Sequence, residues 1–239
     1  MIKIKTCHIS VVTGVIVIFG LLTISPGAQA AQKDCQVLSL NTFVQASSSL
    51  KPDNHYVGLV ATVRNRTKLA KEFRAHYQIL NMTDKTVEGT FTVSGVIPAR
   101  TTLPLPSVFA EEIPIGANLK LKRSDDYVWE CSTTKKKTFY ADVVWPDPSA
   151  ECGPDQYYAG ERGVAGCPKI SVTNNTTKNL KLDASTIVWF DSTNKIVWTS
   201  KRNYYSETDL PAGFSQALPY FGPGIPGEAV RAEGWLTTN

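Results

Sequence analysis

The sequence predicts an all-β protein: two tandem immunoglobulin-like or fibronectin-like β-sandwich domains behind a signal peptide. Three observations lead there. Apolar residues alternate with polar ones in short runs rich in β-branched and aromatic side chains, as half-buried strands require. Clusters of Asn, Asp, Gly, Pro and Thr separate these runs and supply turn chemistry. Finally, the stretch Val63 to Val87 recurs in degenerate form from Val172 to Val197, and internal repetition at a domain-sized period signals a copied unit.

The first thirty residues read as a targeting segment. Lys3 and Lys5 form a positive start, Val11 to Leu22 is apolar, Pro26-Gly27 breaks it, and Ala28-Gln29-Ala30 is a small-x-small cleavage site. Cleavage is expected after Ala30, making 1–30 a signal peptide; an uncleaved anchor is the competing reading. Neither Cys7 nor Cys35 follows a lipoprotein cleavage pattern. No later stretch approaches the eighteen or so apolar residues of a membrane span. Removing Lys3 and Lys5 lowers the net charge from +4 to +2, too little for a nucleic-acid-binding face. The expected location is the periplasm or the exterior.

Four cysteines remain after cleavage: Cys35, Cys131, Cys152 and Cys167. An even number in an exported chain implies disulfides, and four cysteines allow three pairings. Cys152 and Cys167 bracket a short Gly-rich loop, whose closure stabilises by about 3 kcal/mol in the chain-entropy model. Cys35 and Cys131 lie near the two ends of the first unit. The favoured pairing is Cys35–Cys131 with Cys152–Cys167. A zinc site competes poorly, because there is no CxxC pair or histidine cluster.

The elements follow the repeat. An opening strand includes Val37, Leu38 and Leu40. Val57, Leu59, Ala61 and Val63 alternate in the next, and Phe73, Ala75, Tyr77 and Ile79 in the one after. Val63, Asn65 and Thr67 match Val172, Asn174 and Thr176, 109 residues later; Tyr77 to Asn81 matches Ile187 to Asp191, 110 residues later. Asn81 to Asp84 and Asp191 to Asn194 read as hairpin turns, each followed by a Lys-x-Val strand. Pro98-Ala99 and Pro211-Ala212 end those strands. Leu119 and Leu121, and in the copy Val230 and Ala232, begin a closing strand. The one-residue change of offset predicts a β-bulge near Ser185–Thr186, since an extra residue reverses every side chain after it; unbroken parity is the alternative. The resulting domains are 31–135 and 136–239, the second carrying a disulfide-stapled insertion at 146–167. Each is expected to bury its own aromatic-rich hairpin.

The run Val-x-Asn-x-Thr, an aromatic-x-aliphatic-aromatic-Asp strand end, Lys-x-Val and a Pro-Ala turn together resemble the bacterial FxLYD domain. Ile187, Trp189, Phe190 and Asp191 stand at its four named positions in the second unit; Tyr77, Ile79, Leu80 and Asn81 stand there in the first. Ile187 and Leu80 are not aromatic, and Asn81 replaces the acid. The resemblance implies an exported module without a catalytic role, and it names no ligand.

Catalytic and cofactor signals are sparse. His55 and His76 have no counterparts in the second unit, and His76 is expected to face outward. There is no Gly-x-Ser-x-Gly elbow. Gly153, Gly160, Gly163 and Gly166 are too widely spaced for a phosphate loop. Asp125-Asp126 and Glu111-Glu112 lack calcium-loop spacing. No enzyme activity, metal or cofactor is expected. The clusters Lys120/Lys122/Arg123 and Lys135-Lys136-Lys137 read as solvated strand edge and loop tip. Four Asn-x-Ser/Thr sequons, at Asn65, Asn81, Asn174 and Asn175, read as turn chemistry.

Aromatics are the stronger signal. Trp189 or Phe190, and Trp235, are the expected core. Tyr204, Tyr205, Tyr220 and Phe221 lie in loop-like stretches, and Tyr157 and Tyr158 lie in the insertion; these six form a candidate binding surface. The function expected is a non-catalytic binding or structural module contacting protein or envelope components. Carbohydrate binding through the exposed aromatics is the alternative. Peptide mapping without reduction is expected to recover Cys152 joined to Cys167, and a free thiol at either position refutes that staple.

Overall fold

Fourteen strands make up the described elements of the computed structural model, which covers residues 33–47, 54–107, 111–114, 118–124, 129–147, 167–218 and 228–238. The leader 1–30, Cys152, Tyr157, Tyr158, Tyr220 and Phe221 lie outside these residues. So do the side chains of His55, Cys167, Tyr204 and Tyr205.

The first half contains β1 (Cys35–Ser47), β2 (Asn54–Asn65), β3 (Lys71–Asn81), β4 (Val87–Ile97), β5 (Thr102–Pro106), β6 (Glu111–Pro114), β7 (Leu119–Arg123) and β8 (Glu130–Thr133). One sheet runs β1-β2-β5, with β6 also on β2; the other runs β4-β3-β7, with β8 also on β3. Alternation explains why they stack. Val57, Leu59, Ala61 and Val63 of β2 are buried, and so are Phe73, Ala75, Tyr77 and Ile79 of β3; they share one core with Phe91, Leu105 and Ile113. Cys35 of β1 and Cys131 of β8 form a disulfide that ties the first sheet to the second.

The second half contains β9 (Lys137–Asp147), β10 (Cys167–Thr173), β11 (Leu180–Phe190), β12 (Ile196–Leu210), β13 (Ser215–Leu218) and β14 (Arg231–Thr238). Their path is β12-β11-β14-β9-β10-β13. It divides into the same two orders, β9-β10-β13 and β12-β11-β14, joined through β9. That strand pairs with β14 over Lys137 to Ala141 and with β10 from Asp142 to Asp147. Backbone pairing thus connects the sheets at the end where the first half uses its disulfide. Pro146 and Asp147, expected in the insertion, complete β9; Asp147 pairs with Cys167 across the insertion's base.

The same corner is built twice. Asn65 is fully buried; its Nδ2 donates to the carbonyls of Leu69 (2.8 Å), Ile97 (3.0 Å) and Pro98 (3.0 Å), while its Oδ1 accepts from Thr67 N and Oγ1, both at 2.9 Å. Asn174, also fully buried, donates to Lys178 O and Leu210 O at 2.8 Å and accepts from Thr176 N (3.0 Å) and Oγ1 (2.7 Å). The start of the hairpin turn repeats too, Asn81 Oδ1 accepting from Thr83 N and Asp191 Oδ1 from Thr193 N, while the left-handed residue falls one place later in the first turn, at Lys85 (φ 62°), than in the second, at Asn194 (φ 63°). Arg100 and Gly213 occupy the left-handed region at matching places, φ 59° and 75°.

Two expectations need correction. The bulge sits at Asp183, two residues before Ser185: Leu182 pairs with Thr238 of β14 but Ala184 with Thr237, so Asp183 is the extra residue. Parity does reverse across it, since Leu182 shares a core face with Ile187 and Trp189. The second correction concerns burial. Beyond the bulge β11 is buried on both sides. Ile187 and Trp189 join Val172, Trp198, Leu210 and Leu236 in a core of the second half, whereas Val188, Phe190 and Trp235 belong to the core of the first. A strand covered on both faces reads as a continuous apolar run, which Ile187-Val188-Trp189-Phe190 is.

Asn65→Ala and Asn174→Ala are each expected to cost about 2–3 kcal/mol, because several carbonyls and the N–H of Thr67 or Thr176 lose a hydrogen-bond partner at once. Urea unfolding measures this, and a loss within about 0.5 kcal/mol, the range of an ordinary surface substitution, contradicts the corner's role.

Candidate functional site

Double-sided burial of β11 sets the two halves against each other and leaves a cleft of about 200 Å³ between them, walled by β3 and β4 on one side and β11, β12 and β14 on the other. Its lining includes Leu105 and Trp235, and its charged groups are Glu72, Arg74, Lys136, Asp183 and Lys201.

The bulge explains one wall. Asp183 is the extra residue, and a bulge re-aims the side chain it carries. Its carboxylate accepts from Lys136 Nζ at 3.1 Å, and Lys136 also donates to Glu72 Oε1 at 3.1 Å. One ammonium therefore bridges carboxylates from both halves. Burial alone would lower the Lys136 pKa, but the hydrogen bonds and charges of Asp183 and Glu72 outweigh it and raise it. The lysine run read as a solvated loop tip is thus corrected at its middle member: the neighbours of Lys136 are acidic side chains 64 residues before it and 47 after it, a proximity that local spacing does not encode. Nearby, Thr138 Oγ1 donates to Val96 O at 2.9 Å.

Lys201 crosses from β12 to β4, donating to Ser94 Oγ at 3.0 Å and to Ser94 O. Part of the residue is open to solvent, yet its ammonium end lies deep in the cleft. Desolvation, partly offset by the charge of Asp183, pushes its pKa down to about 8.

A second surface is formed by β1. β1 is an edge strand that pairs with β2, and a register shift between Val37 and Ser39 makes Leu38 a bulge residue. Leu38 is 50% exposed and Leu40 36%. The far end of β1 is covered, where Phe43 lies 6.2 Å from the Trp198 ring.

The candidate residues of the sequence distribute unevenly. Tyr204 and Tyr205 lie in β12 opposite the bulge, in the stretch between Asn203 and Thr208 that has no register partner on β11; the structure brings no description of their side chains. Trp189, Phe190 and Trp235 are core, as expected. His76 faces away from the core of its sheet, half-buried, with Nδ1 3.0 Å from Thr92 Oγ1; burial and then Arg74 lower its pKa. Among the sequons, Asn65 and Asn174 are buried corner residues and Asn81 Nδ2 donates to Glu88, while Asn175 is exposed. Among the described residues no three His, Cys, Asp or Glu side chains are grouped to hold a metal ion, and no helix is long and apolar enough to cross a membrane.

Lys201 also predicts a pH dependence. Its folded pKa of about 8 lies below the unfolded value, so between the two the unfolded chain binds more protons and stability rises with pH. Relative to Lys201→Met, the protein is expected to gain up to about 3 kcal/mol from pH 8 to the ordinary lysine pKa near 10.4, at about 1.36 kcal/mol per unit. Denaturant melts of the two proteins across that window check this; parallel curves contradict it. In comparisons with known proteins, no family model, no curated protein and no solved structure matches this chain.

Proposed function

We propose that this chain is an exported, non-catalytic binding or structural module, two immunoglobulin-like sandwiches of FxLYD type, acting through protein–protein contacts in the bacterial envelope or outside the cell. The recurrence of strand order and Asn/Thr corner in both halves supports the tandem reading. The Cys35–Cys131 disulfide supports an oxidising compartment.

The observation that carries the binding role is β1. Thirteen residues long, it leaves one row of backbone groups without a strand partner among the described residues, and it presents Leu38 and Leu40 to solvent. An open edge flanked by apolar side chains is the surface that strand addition uses: main-chain hydrogen bonds give affinity and alternate side chains give specificity. Edges that are not used in this way are usually blunted with charge or proline.

The test is retention of envelope proteins on immobilised mature chain. A partner retained by the wild type is expected to be lost from the double variant Leu38→Glu/Leu40→Glu, whose melting temperature stays unchanged. Retention that survives the double variant removes β1 as the surface. Retention of polysaccharide alone favours the carbohydrate reading through Tyr204, Tyr205, Tyr220 and Phe221.

A further inference from the structure

We propose that the cleft between the two halves binds a small oxyanion, a carboxylate or a sulfate- or phosphate-like group, on the ammonium of Lys201. This site is separate from the β1 edge, and neither reading depends on the other.

The argument begins with the partners of Lys201. Among the described residues its ammonium donates to Ser94 O and Ser94 Oγ, both neutral, and it forms no ion pair. A cation withdrawn from water without a contacting anion is costly, and neutral acceptors recover only part of the lost hydration. The carboxylates nearest to it in charge, Asp183 of β11 and Glu72 of β3, are both turned to Lys136 at 3.1 Å. Arg74 of β3 lines the same cleft. Three cations against two carboxylates leave one positive charge, and an anionic group seated at Lys201 offsets it.

Shape agrees with charge. The cavity, about 200 Å³, is partly open to solvent; this is room for an ion or a short organic acid with its waters, not for a polymer. Asn203 and Thr237 add polar groups to the lining, and Leu105 and Trp235 add apolar surface that a short carbon chain can touch. A merely structural strut between β12 and β4 would need the Ser94 contacts but not the cavity beside them.

The full mature chain is titrated separately with sulfate and with succinate, whose charges stay constant between pH 7 and 9. Calorimetry gives affinity, and the lysine ε-methylene NMR signals report the site. Saturable binding is expected at pH 7, about tenfold weaker at pH 9, because the receptor is the protonated fraction of a group titrating near 8. Lys201→Met abolishes it, Lys201→Arg keeps it while removing its pH dependence, and Lys120→Met on β7 leaves it unchanged. Succinate binding more tightly than sulfate identifies an organic acid; the reverse identifies an inorganic oxyanion. Absence of saturation at pH 7, or saturation that survives Lys201→Met, overturns the proposal.

Discussion

A strand that is apolar on both faces cannot end a sandwich. β11 turns Ile187 and Trp189 into its own half and Val188 and Phe190 away from it, and β14 adds Trp235 to the second set. Left to water, those three outward side chains would forfeit roughly 1.5–3 kcal/mol each, together about the whole stability of an ordinary domain. Covering them with the first half removes that penalty, and it fixes how the halves meet. The interfacial ion pairs around Lys136 are partly exposed, and pairs of that kind contribute about 1 kcal/mol or less. Apolar burial holds the interface; charge sets its details.

Each half solves the problem of its own strand ends in one way. Where β2 and β10 stop, the chain must turn with several backbone groups out of reach of any neighbouring strand. A buried asparagine amide answers both donors and acceptors, and a threonine two residues on completes the turn. The halves then differ in how they close. The second lets β9 change sheets and pair with β14, whereas the first keeps β1 in one sheet and crosses to β8 with a disulfide. β9 divides its length between two partners, β14 along its first part and β10 along its second, whereas β1 keeps β2 as its partner throughout.

The cleft shows how a local irregularity becomes a feature between halves. One extra residue in β11 against β14 reverses side-chain parity and so decides which members of the apolar run face each core, and the inserted residue is an aspartate that reaches Lys136 and, through it, Glu72. On β12, Lys201 pairs in regular register with Thr186 and reaches Ser94 on β4. The cavity lined by these strands is polar, with apolar Leu105 and Trp235 in its lining and a cation whose contacts are neutral.

Strand class, the positions of β2, β3, β4 and β11, and the core status of Trp189 and Trp235 were legible in the sequence, because period-two alternation and turn residues are local signals; the Cys35–Cys131 pairing was legible from the places of the two cysteines at the ends of the first unit. The Asn/Thr corner was legible as a motif, though its hydrogen bonds to carbonyls some thirty residues away were not. The run Ile187-Val188-Trp189-Phe190 carried the signal of two-sided burial, but a run of apolar residues does not say what covers its second face. Only the tertiary structure decided that the other half does. It also decided that Lys136 meets Glu72 and Asp183, that the bulge lies at Asp183, and that Lys201 enters a cleft. Each of these depends on groups far apart in the chain, and their distance is set by packing rather than by spacing.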